Sequence, residues 1–83
     1  MANTINVPVQ SGWQLVHSAS GARSSGVFSI GGGGEYCEQD TLPPAALIGH
    51  VFTGAIIPFE LDAGQNIYVK TYRGSDTVIV TED

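Results

Sequence analysis

The chain predicts an all-β fold: a small antiparallel β-sandwich or barrel of about six to eight short strands, with at most one short helical turn. Three observations carry this prediction. Apolar and β-branched residues recur in short runs with the period of two that a pleated strand imposes, as in "NIYVK" and "TINVPV". Clusters of Gly, Ser, Asn, Asp and Pro separate those runs. No stretch shows a helical period, a coiled-coil heptad or an internal repeat.

Taken in order, Thr4 to Val9 alternates Ile5, Val7 and Val9 against Thr4, Asn6 and Pro8, and predicts a strand. Pro8 places it at a sheet edge, because proline cannot donate a ladder hydrogen bond. After the Ser11-Gly12 turn, Trp13 to Ser18 is a second strand. Gly26 to Ile30 is a third, following "SASGARSSG". The glycine run Gly31 to Gly34 reads as a pliant loop, since consecutive glycines maximise unfolded-chain entropy. In "TLPPAALIGH", Thr41 is placed to cap one turn of helix with Pro43 or Pro44 in it, and Leu42 or Leu47 would then pack on a sheet. The apolar stretch Ala45 to Phe59 reads as core strands with a turn. Within it, Ala55 to Leu61 forms a strand whose Pro58 again implies an edge or a bulge. Last come Asn66 to Tyr72 and Thr77 to Thr81, which predict a hairpin closed by Arg73 to Asp76.

At 83 residues the sequence has room for one domain, spanning 1–83, with a single core. A domain this short hides roughly 60% of the surface its unfolded chain exposes, so it gains from added support. Cys37 is the single cysteine, which rules out an internal disulfide. Self-association or docking on a larger partner is the expected substitute.

Three basic residues against eight acidic give a net charge of −5, which opposes nucleic-acid binding through phosphates. Charged residues are only 13% of the chain while apolar ones are 42%, so the solvent shell must be built from neutral polar residues, a composition suited to broad protein contacts. The amino end lacks the features of a signal peptide, and the Ala45 to Phe59 stretch is too short and interrupted for a membrane helix. Synthesis in a cytoplasm and no membrane partner are the expectations.

The run "GGGGEYCEQD" invites comparison with a phosphate-binding loop, but it leads into Glu35, Glu38 and Asp40 and carries no Lys in the required register. His17, Cys37 and His50 lie on separate segments, without metal-ligand spacing. His50 is expected to bond backbone at a loop, and His17 to sit on a strand surface or subunit contact. The acids flanking Cys37 would raise its pKa and leave a poor thiolate. No catalytic residue, metal or cofactor is therefore expected. Candidate partner-contact residues are Trp13, Tyr36, Tyr68, Lys70 and Tyr72. For Trp13 the core or a subunit contact is the favoured place. Tyr68, Lys70 and Tyr72 share one strand face and would form a contact stripe if that face meets solvent.

The segment from Gly49 to Glu82 carries a Gly-His turn, an "IPFEL" strand, an "AGQ" turn, an "IYVK" strand and a closing strand ending in "VTE". In these elements it resembles the closing portion of small β-rich structural proteins of tailed bacteriophage virions. The resemblance implies a non-enzymatic virion component made in the host bacterial cytoplasm, such as a capsid decoration protein or the base of a head fibre. Its partners would be the major capsid protein or another virion protein, and copies of itself, a trimer suiting three-fold capsid positions. Two further readings stand beside it: a carbohydrate or cell-surface binding module at the tail, with Trp13 or the tyrosines stacking on sugar rings, and a tail or neck adaptor.

Overall fold

The computed structural model describes residues 3–54, 56–72 and 74–83. Eight strands form: β1 (Asn3–Gln10), β2 (Gln14–Ser18), β3 (Ser24–Ile30), β4 (Gly33–Gln39), β5 (His50–Thr53), β6 (Ile57–Leu61), β7 (Asn66–Thr71) and β8 (Ser75–Glu82). They build two four-stranded antiparallel sheets, one in the order β1-β8-β3-β6 and the other β2-β7-β4-β5. The protein is an all-β sandwich, without helix among the described residues.

The pairing has a simple logic. β1 pairs with β8, β2 with β7, β3 with β6 and β4 with β5, so the chain is one long antiparallel ribbon nested around the β4–β5 connection. Rolling that ribbon adds the ladders β3·β8 and β4·β7, which knit four ribbon segments into two sheets. This is the wiring of an eight-stranded jelly roll. Both proline-bearing strands occupy edges of the first sheet, β1 with Pro8 and β6 with Pro58, as their missing N–H groups require.

Between the sheets, Phe28, Leu61, Ile67, Val69, Val78, Val80 and Val9 are fully buried. Each large side chain so buried contributes roughly 1.5–3 kcal/mol, which makes this layer the main source of stability. Phe28 meets Tyr36 and Phe52 edge-on, at ring-centroid distances of 5.1 and 5.6 Å. A bulge in β2 lies between Leu15 and His17: Leu15 stands opposite Tyr68 and His17 opposite Ile67, with Val16 as the extra residue. Val16 and His17 thereby both turn inward.

Four expectations change. Asn66 to Tyr72 and Thr77 to Thr81 are strands, but they do not pair as a hairpin. β7 and β8 lie in different sheets because each has one apolar face, Ile67 and Val69 on one and Val78 and Val80 on the other, and both faces close on the same core. Asp76 anchors the crossover by accepting from the backbone N–H groups of Gly32 and Thr77, each at 2.8 Å; Arg73, within the predicted turn, is outside the described residues. Thr41 to Gly49 forms no helical turn; its one internal backbone hydrogen bond runs from Leu47 N–H to Pro44 C=O, because two successive prolines remove donors a helix needs. The glycine run is not wholly a loop: Gly33 and Gly34 open β4. His50 opens β5 with its ring on Tyr36, instead of bonding a loop backbone. Ala55, the first residue of the strand predicted to Leu61, lies outside the described residues.

Gly34 is needed at its place because a Cβ there would stand 2.6 Å from the Lys70 carbonyl oxygen. Gly31, by contrast, would bring a Cβ only to 3.5 Å from an Asp76 carboxylate oxygen, an ordinary contact. Gly34→Ala is expected to lower stability by roughly 2–4 kcal/mol and Gly31→Ala to leave it within about 0.5 kcal/mol, measured by urea unfolding.

Candidate functional site

The outer face of the β2-β7-β4-β5 sheet holds most of the residues singled out from the sequence. Opposed residues of an antiparallel pair share a face, so the register builds it row by row. Leu15, Tyr68 and Cys37 form one row across β2, β7 and β4; Lys70, Glu35 and Val51 form the next across β7, β4 and β5. Gly33 and Thr53 form the third, where Tyr72 lays its ring over Gly33.

Over the first row lies the segment Thr41 to Gly49. Trp13, Cys37 and Tyr68 are buried together with Leu47 packed against them, a small second core outside the sandwich. The segment is held by charge. Glu35, itself buried, accepts from the Gly49 backbone N–H at 2.9 Å and from the Tyr72 hydroxyl at 3.0 Å. Lys70 Nζ donates to the Leu47 carbonyl at 3.0 Å, stands 3.6 Å from the Glu35 carboxylate and lies 4.7 Å above the Trp13 ring. Gly49 has no room for a side chain, since a Cβ would stand 2.5 Å from the Tyr36 carbonyl oxygen and 2.7 Å from Trp13. Trp13 Nε1 is buried without a hydrogen-bond partner, a cost of about 1–3 kcal/mol set against the area its ring buries.

The electrostatics follow from these contacts. The Gly49 N–H holds the Glu35 carboxyl below its ordinary range, outweighing the opposing effect of burial, and Tyr72 and Lys70 add to the lowering. Tyr72 is pushed up, first by removal from water and then by the carboxylate it donates to. Burial pushes the Cys37 thiol up; Lys70 pulls it down and Glu38 pushes it up. The thiol is thus kept protonated, with its sulfur inside the second core.

The five predicted contact residues divide accordingly. Trp13 and Tyr68 are interior, and Lys70 is occupied by the clamp, so the proposed stripe of Tyr68, Lys70 and Tyr72 does not exist as a solvent face: the Thr41 to Gly49 segment covers two of its three members. Tyr72 is open, 58% exposed. Tyr36 belongs to the opposite, inner face of its sheet, where it packs on Phe28 and Phe52. Sequence reasoning missed Ile48 and Val51, exposed by 79% and 63%. Val51 lies directly opposite Glu35 and the Tyr72 hydroxyl donates to it, so these two flank the neutralised ion pair, while Ile48 is exposed on the segment just before the clamped Gly49. The signal available was the pair of exposed β-branched residues in "LIGHVFT" once that segment is read as a strand entry.

Two polar clusters lie elsewhere. A cleft of about 210 Å³ is lined by Tyr36, Glu38 and His50, with the His50 ring 5.3 Å from that of Tyr36. Burial raises the Glu38 carboxyl there against the pull of His50. At the other end, His17 is turned inward against Phe59, not onto a strand surface. Its Nε2 lies 2.9 Å from Ser24 Oγ, which donates to Glu82, and 3.5 Å from the Glu82 carboxylate. The same imidazole nitrogen faces both serine and acid, and the serine proton is already given to Glu82. That geometry differs from a charge-relay triad, in which the acid orients the far nitrogen and the serine donates to histidine. Among the described residues no group of three or more His, Cys, Asp or Glu side chains is placed to hold a metal ion, and no helix is long and apolar enough to cross a membrane.

Comparison with protein-family models, with curated proteins and with solved structures finds no match for this chain.

Because the folded pKa of Glu35 is depressed, its contribution to stability is fully present above the unfolded value of about 4.3 and is lost as pH falls through the folded value. Glu35→Gln is expected to cost roughly 2–4 kcal/mol at pH 7, a penalty that shrinks as the pH drops below about 4, measured by urea titration at each pH with Trp13 fluorescence as readout. Cys37 is expected to resist alkylation by iodoacetamide in the native protein and to react at the rate of an ordinary thiol once unfolded, followed by mass spectrometry.

Proposed function

We propose that this chain is a non-enzymatic structural component of a bacteriophage virion, a capsid decoration or head-associated protein that stabilises the shell or carries a fibre. The observation that carries the reading is the exposure of Val51 and Tyr72 on the outer sheet face, and of Ile48 on the segment that enters it, beside an acid and a base that neutralise one another. A surface of that kind loses little on desolvation and gains from apolar contact, which suits docking on a protein. The resemblance of Gly49 to Glu82 to virion structural proteins supports the same reading. Jelly-roll wiring recurs in viral capsid and lectin domains, a support by analogy only.

In this role each copy seats these residues on the major capsid protein or a neighbouring virion protein. Binding to the assembled shell and not to its separated subunits stabilises the shell by mass action. A single contact need only be modest, because the lattice repeats it.

The 210 Å³ cleft at Tyr36, Glu38 and His50 favours a second reading, a glycan-binding module at the tail. Trp13 cannot serve as its stacking platform, being buried under the Thr41 to Gly49 segment. A glycan array separates the two readings: selective binding abolished by Glu38→Gln supports the module.

The chain is expected in a mass-spectrometric inventory of purified particles, and its absence there would sink the virion reading. Added back to particles stripped of it, the wild-type protein is expected to rebind, while Val51→Lys and Tyr72→Ala lose at least tenfold in affinity without loss of fold.

A further inference from the structure

The outer face of the other sheet, β1-β8-β3-β6, has a composition that singles out a partner. Its register places Thr4, Thr81, Val27 and Pro58 in one row across the four strands, and Asn6, Ile79 and Ser29 in the next. Pro8 and Thr77 follow, then Gln10 and Ser75. Thr4 and Thr81 join their hydroxyls at 2.9 Å, as side chains on one face do. None of these residues is buried and none is ionisable. The charged groups of this side gather at one end of the face: Glu60 stands opposite Ser25 in the row beyond Val27 and Pro58, Arg23 pairs with it at 2.5 Å and lies 3.9 Å from Asp62, and Asp83 follows β8, its N–H on the Ser25 carbonyl.

We infer that two copies of this chain pair face to face through this surface about a two-fold axis. Charge is the first argument. A chain of net charge −5 repels its copies, and a face whose one strand carboxylate, Glu60, sits at its end and is paired with Arg23 is where two can meet at least cost. A two-fold axis lying between the two faces and perpendicular to the strands also sets the charged ends at opposite extremes of the pair. Hydrogen bonding is the second. Ser and Thr hydroxyls donate and accept alike, and the Asn6 amide has both groups, so a face of such residues complements its own copy, the requirement of an isologous contact. Away from the paired Arg23 and Glu60, a foreign acidic or basic partner would find no countercharge here. Ile79 and Val27, exposed by 46% and 37% on the two central strands, provide the apolar middle.

Size sets the strength. Four strands at about 4.8 Å spacing and up to eight residues at about 3.4 Å give a face of roughly 19 by 25 Å. Two such faces bury on the order of 1,000 Å², the size class of weak, transient pairs. The pairing uses the face opposite to Val51 and Tyr72, so it is independent of what those residues dock on.

Sedimentation of the purified full chain from about 10 μM to 1 mM tests this. The weight-average mass is expected to rise from 8.7 kDa toward twice that value, and more readily as salt screens the net charge. Ile79→Lys is expected to hold the chain monomeric with unchanged far-UV circular dichroism, although it lowers the net negative charge; Thr77→Lys serves if that variant misfolds. Val51→Lys, on the other sheet, should associate as wild type does. A wild-type chain that stays monomeric at 1 mM overturns the inference, as does association that survives the folded face variants or is lost with Val51→Lys.

Discussion

Nested pairing is the constraint from which the rest of the molecule follows. Because β1 pairs with β8, β2 with β7 and β3 with β6, residues as distant as Asn3 and Glu82 are neighbours, and only the β4–β5 ladder joins strands adjacent in sequence. Bringing such distant residues together costs loop entropy, but each ladder closed from the β4–β5 tip outward leaves only a short loop for the next. Chains wired this way fold slowly, their contacts being almost all non-local. The return is a fold whose four sheet edges are β1, β2, β5 and β6, two of them carrying proline and the other two only four and five residues long. Such edges are poor templates for further strand pairing. The two outer faces are thereby left as the broad open surfaces of the sandwich.

The same wiring explains why Glu35 can be buried. Central strands β4 and β7 bring Glu35 and Lys70 opposite one another, and the Thr41 to Gly49 segment, the link between β4 and β5, must fold back over the sheet it has just left. It arrives with two prolines and therefore few donors of its own. Glu35 and Lys70 meet its remaining needs, the acid taking the Gly49 N–H and the base giving to the Leu47 carbonyl. Neither charge alone would survive the low dielectric; together, with Tyr72 and the Trp13 ring, each is compensated. The clamp lets a segment without secondary structure act as a lid on a second core, extending the buried apolar area of a domain that has little to spare.

Much of this fold was legible locally, and the illegible parts share one cause. Six strands follow from alternation and β-branching, and Pro8 and Pro58 marked two edges without knowledge of the partners. β4 escaped because its first residues are glycines, whose intrinsic disadvantage in a strand is outweighed by the close approach of the Lys70 carbonyl to Gly34, a fact of the neighbour and not of the run. The hairpin between β7 and β8 failed for the same kind of reason: a short turn between two alternating strands fits a hairpin or a crossover, and the decision belongs to β1, β2, β3 and β4, which compete for both. His17 was misplaced because a bulge shifts the inward and outward alternation by one residue, and nothing in "QLVHS" marks it. At the candidate site, the sequence singled out Tyr72 and Lys70 correctly as sharing a face, but whether that face met water depended on a lid some 25 residues upstream. Glu35 looked like a repulsive acid in an open loop because the groups that satisfy it come from two distant segments, Gly49 before β5 and Lys70 and Tyr72 at the end of β7.

The two outer faces show how a chain this poor in charge divides its surface. One face is half closed by the lid, and what remains open is apolar and ringed by side chains already satisfied. The other is left bare, paved with hydroxyls and a few methyl groups. The acids that give the chain its charge stand mainly at the margins of these areas or outside them: Glu60, Asp62 and Asp83 at one end of the second face, Glu82 inward on Ser24 and His17, Asp76 in the crossover, Glu38 in the cleft. A protein that needed only solubility would spread its carboxylates over the broad faces, where they would hold copies and partners apart. Confining them to rims and connections keeps the long-range repulsion that prevents indiscriminate aggregation, and removes it at the surfaces where contact would be made.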